Sequence, residues 1–78
     1  MREKKPSLIV TFHTTTAAMG AEKLCLAQGV PGRLIPVPRE ITAGCGLAWK
    51  AAPEDEEHIA KALREGSIEW AAMQVITV

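Results

Sequence analysis

Four short apolar runs and two helix-like stretches follow one another in an order that leaves few ways to fold them. Residues 8–13, LIVTFH, form a β-branched and aromatic run suited to a buried strand. Thr14, Thr15 and Thr16 come next and supply N-caps for a helix. In that helix Ala17, Ala18, Ala21, Leu24 and Cys25 share one face, small and apolar enough to lie close on a sheet. Gly29 ends it as a left-handed cap, and Pro31 stands just beyond. Residues 32–38, GRLIPVP, read as a second strand, and Pro36 marks it as an edge because proline cannot donate to a ladder. GLAWKA, residues 46–51, is a third, shorter strand. Residues 53–66 form the clearest helix. Pro53 and four successive acids suit its start, Glu57 and Lys61 make an i,i+4 pair, Ile59 and Leu63 mark the inner face, and Gly66 stops it. A fourth strand is expected over roughly residues 70–77.

The order β-α-β-β-α-β predicts an α+β, ferredoxin-like sandwich: an antiparallel four-stranded sheet, ordered 4-1-3-2, with two helices on one face. Residues 8–78 make one such domain, and the charged residues 1–7 read as a flexible leader rather than a signal peptide.

At 78 residues the chain has room for a single modest core. Nine basic residues balance nine acidic ones, so no strong attraction to nucleic acid or an anionic membrane is expected. Phe12, Trp49 and Trp70 are the only aromatics, too few for a base-stacking platform. No apolar run is long enough to span a bilayer. Two cysteines fit neither a zinc ribbon nor a disulfide-dense secreted scaffold, which favours a cytoplasmic location. The two histidines and two cysteines do not converge, so no metal site and no cofactor are expected. His58, on the acidic helix, is expected to be exposed and idle.

Cys45 stands between Gly44 and Gly46, with Arg39 upstream in the same loop. In the predicted topology the end of the first strand, the start of the first helix and the loop between strands two and three share one end of the sheet. Cys45, His13 and Thr14 to Thr16 are therefore expected to cluster, with Arg39 in reach. The helix N-terminus, the arginine and the histidine would each favour a thiolate, and the glycines would admit close backbone approach. The other reading is a tight hairpin with Cys45 packed beneath it, a structural cysteine. Cys25, roughly 13 Å along the helix, is expected to be core and too far from Cys45 for a disulfide.

The runs FHTTTAAMGAEKL and IPVPREITAGCGLAW, followed by an acidic-start helix, resemble the small proteins called selenium/sulfur carrier-like. The resemblance covers about residues 8–77 and is sharpest at Pro38-Arg39-Glu40 and Cys45-Gly46-Leu47-Ala48. It implies a chalcogen held on Cys45 as a persulfide or its selenium counterpart. The partners would be donor and acceptor proteins, and a carrier of this kind need not turn over a substrate. Against this stands a non-catalytic interaction module that docks through its open sheet face, with Trp49, Ile35 and Ile9 as contributors. Strands one, three and four carry apolar residues on both faces: Ile9 and Val10, Leu47 and Ala48, Val75 and Ile76. A chain this short is not expected to cover both faces, so a homodimer is expected.

Overall fold

The structure, a computed structural model, describes residues 5–37, 41 and 46–77. Its elements run β1 (Pro6–Thr11), α1 (Thr15–Gln28), β2 (Arg33–Pro36), β3 (Leu47–Ala51), a 3-10 turn (Pro53–Asp55), α2 (Glu56–Glu65) and β4 (Ala72–Thr77). The strands form one antiparallel sheet in the order β2-β3-β1-β4, the predicted 4-1-3-2 order read from the other edge. Pro36 does lie on an edge strand, where its missing N–H leaves no gap in an inner ladder.

The alternation along β1 decides which face the helices cover. Leu8 and Val10, with Phe12 just past the strand end, pack against Ala18, Ala21 and Cys25 of α1 and against Ile59, Ala62 and Leu63 of α2. Trp49 and Ala51 of β3 join the same core. Trp49 therefore faces the helices and is essentially buried, not part of an open docking face. Its indole N–H donates to the Pro31 carbonyl at 3.1 Å, which satisfies the one polar atom of that ring.

On the opposite face the short chain covers more of itself than its length suggested. Ile9 and Ala48 are fully buried there, together with Ile41 from the loop between β2 and β3. Ile35, Val37 and Ile76 flank them, half-buried. Burying a side chain the size of Ile9 is worth ~1.5–3 kcal/mol, and Ile41 shares in that burial.

Element ends differ from the sequence expectation in physically simple ways. β1 pairs from Pro6, opposite Thr77, inside the stretch expected to be a leader, since proline is tolerated as the first residue of a strand. Trp70 and Ala71 precede β4 rather than opening it, although the Ala71 N–H still donates to the Thr11 carbonyl at 2.7 Å. Pro53 begins a 3-10 turn, and the α-helix proper starts at Glu56.

Both helices end in the same hydrogen-bond pattern. At α1 the Gly29 N–H donates to the Leu26 carbonyl and the Val30 N–H to that of Cys25, with Gly29 left-handed at φ 69°. At α2 the equivalent bonds run from Ser67 to Arg64 and from Ile68 to Leu63. The left-handed residue there is Ser67, at φ 57°, not Gly66. Gly66 lies against α1 instead: a Cβ on it would fall 2.5 Å from a Leu24 methyl, so that side chain would have to shift.

Candidate functional site

Register brings the predicted loop and helix end to one end of the sheet. Thr11 lies opposite Ala48, so the carboxyl end of β1 meets the amino end of β3. Pro36 lies opposite Leu47, and one residue further on the Val37 N–H donates to the Gly46 carbonyl at 3.0 Å. That bond closes the β2–β3 loop beside the point where β1 leaves the sheet for α1. Gly46 has φ 77°, a conformation side chains resist, and a Cβ there would meet nothing within 4 Å. The glycine is thus required by the turn, not by a close neighbour.

From the end of β1 the chain turns sharply. Thr11 and Phe12 are buried, whereas His13 and Thr14 to Thr16 are exposed. Thr14 is extended and caps α1, its hydroxyl oxygen accepting from the Ala17 N–H at 3.1 Å. Of the three threonines offered by the sequence, this one is the cap. The Thr15 and Thr16 amides open the first turn, where helix geometry provides no intrahelical acceptor. They present N–H dipoles at the positive end of α1, with His13 immediately before the cap.

Arg39, Gly44 and Cys45 lie outside the described residues. Ile41, between them in sequence, is buried against Ile9 and Ala48. Sequence reasoning missed Ile41. Its signal was an isolated branched aliphatic between Glu40 and Thr42 in a polar, glycine-containing loop.

Cys25 is buried in the core of α1 and the sheet, as expected, and burial pushes its thiol above the ordinary range. His58 is exposed on α2. Among the described residues no group of three or more His, Cys, Asp or Glu side chains could hold a metal ion. No helix among them is long and apolar enough to cross a membrane. An open groove of about 440 Å³ beside the end of α2, lined by Arg64, Ser67, Ile68, Glu69 and Trp70, contains none of the predicted site residues.

Over 47 residues the chain is 36% identical to "Uncharacterized protein YtiA" of Escherichia coli (strain K12), covering 59% of this chain. The chain spans about half the length of that curated relative, 55% of it. No solved structure matches. The family model described as "Putative Se/S carrier protein-like" matches residues 7–74, from within β1 to within β4. With nearly the whole sandwich inside that match, the chain belongs to the Se/S carrier protein-like family.

Proposed function

We propose that the protein carries sulfur or selenium as a single chalcogen atom on Cys45 and passes it between protein partners. Family membership over residues 7–74 is the observation that carries this reading. It is supported by the strand register, in which the end of β1 that leads into α1 and the Gly46 end of β3 share one end of the sheet.

The chemistry needs no resident cofactor. The Cys45 thiolate attacks the terminal sulfur of a donor persulfide, forming a new S–S bond while the donor's own S–S bond breaks and its thiolate leaves. The atom moves as neutral sulfur, so no net oxidant is consumed. An acceptor thiolate then repeats the attack on the terminal atom and returns Cys45 to thiolate. In this scheme Arg39 stabilises the anion and the α1 N-terminus, with Thr14, Thr15 and Thr16, solvates it. His13 handles the proton, and Gly44 and Gly46 leave room for the partner's sulfur.

The test loads the full chain with inorganic polysulfide and maps the product by mass spectrometry, alongside limiting iodoacetamide labelling. One added sulfur on Cys45, removed by dithiothreitol and absent in Cys45→Ser, is expected. Cys25→Ala should load as the native protein does. Loading or alkylation that favours Cys25 in the folded chain would overturn the assignment.

A further inference from the structure

On the open face, the register sets Arg33 of β2 directly opposite Lys50 of β3. Like charges so placed destabilise a strand pair, where opposite charges stabilise it. The chain has as many acids as bases, so composition did not force this pairing. Neither Arg33 nor Lys50 has an ion-pair partner among the described residues.

The two cations border an open groove of about 450 Å³ at the end of the sheet remote from Gly46. Lys5 and Ser7 border it from the start of β1, and Gly32 and Ala52 complete its wall. Ser7 is nearly buried and its hydroxyl donates to the Lys5 carbonyl at 3.3 Å, which ties the Lys5 backbone to the groove. Gly32, at φ 124°, keeps its wall bare: a Cβ would collide with the Trp49 ring and the Lys50 carbonyl. Among the described residues no acidic side chain lines the groove.

We propose that this groove binds a phosphate-bearing small molecule through Lys5, Arg33 and Lys50. An anion bridging Arg33 and Lys50 turns their repulsion into two attractions. Three cations exceed what one carboxylate neutralises, and the arginine fork matches phosphate oxygens in pairs. The volume falls within the range of small-ligand sites, roughly 300–1,000 Å³, and leaves space for an organic group beside the phosphate. The site does not depend on the thiol chemistry, since its residues are separate from those assigned to the carrier.

The experiment is a titration of the full ¹⁵N-labelled chain with inorganic pyrophosphate, followed by amide shifts. Sodium chloride at matched ionic strength and a hexaglutamate peptide serve as comparison arms. Saturable shifts confined to residues 5, 7, 32–33 and 50–52 are expected, with affinity weakened at least roughly fivefold in Arg33→Gln and in Lys50→Gln. Both variants relieve the like-charge pair, so both should melt higher than the native chain without ligand and gain less from pyrophosphate. Shifts reproduced by chloride, or unaltered by both substitutions, would overturn the proposal. So would variants that melt lower without ligand. Tighter binding of hexaglutamate than of pyrophosphate would assign the groove to an acidic protein segment and equally defeat it.

Discussion

Cys25 shows what burial alone does to a thiol. It is fully buried among alanines and aliphatics, and desolvation raises its pKa from the ordinary 9.0. In the unfolded chain the proton leaves near that ordinary value, whereas the folded chain retains it to higher pH. Above about pH 9 the folded state therefore binds more protons than the unfolded one, and stability falls as pH rises through the gap. Urea unfolding at pH 7 and pH 10 checks this. The native protein should lose more stability across that interval than Cys25→Ala, which lacks this buried thiol. At pH 7 the alanine variant should itself be less stable by about 1 kcal/mol, from lost packing. Equal losses in both proteins would mean that this thiol is not held neutral by the fold.

At the scale of elements, the helix ends are the most testable features. Thr14→Ala removes the oxygen that accepts from Ala17 and should cost about 1 kcal/mol. The same change at Thr15 or Thr16, whose side chains are exposed and do not cap, should cost far less. Ser67→Gly should stabilise by up to ~1 kcal/mol, because glycine adopts its left-handed conformation without the Cβ penalty. Thermal unfolding of these variants decides each case, and a stabilising Thr14→Ala would remove the cap from the account. These same places show what the sequence could and could not reveal. Element order, strand order, the Gly29 cap and the burial of Cys25 were legible because local patterns carry them: branched runs, small residues at helical spacing, a glycine before Val30 and Pro31. The roles of Gly66, Trp49 and Ile41 were not. A glycine at a helix end reads as a left-handed stop, but the left-handed residue is Ser67, and Gly66 lies against Leu24 of the other helix. In LAWKA apolar residues occupy both faces, so alternation could not tell Trp49's side from that of Ala48. Ile41 matters because it packs with Ile9, a contact no local pattern encodes. At the candidate site, topology already put the end of β1 and the Gly46 end of β3 at one end of the sheet, whereas which threonine caps needed geometry.

For the whole molecule the question is where a second copy would attach. The open face is a weaker candidate than its apolar count implied, because Ile9 and Ala48 are already covered within the chain. It also carries Arg33 beside Lys50, which an isologous pairing across that face would set near their own copies. The β4 edge is better suited. Ala72–Thr77 has no charged residue and no proline, none of its residues is buried, and Val75 is 48% exposed. Such an edge offers unpaired N–H and C=O groups without the features that usually block pairing. Two copies joined antiparallel at β4 across a two-fold axis would make one continuous sheet and cover Val75. Sedimentation equilibrium at micromolar concentrations should then give twice the 8.4 kDa chain mass for the native protein. Val75→Lys places a charge on that edge at an already exposed position, so it should shift the protein to monomer while leaving its circular dichroism unchanged. A native protein at 8.4 kDa throughout would rule out the dimer, and a dimer unmoved by Val75→Lys would rule out this edge as its seam.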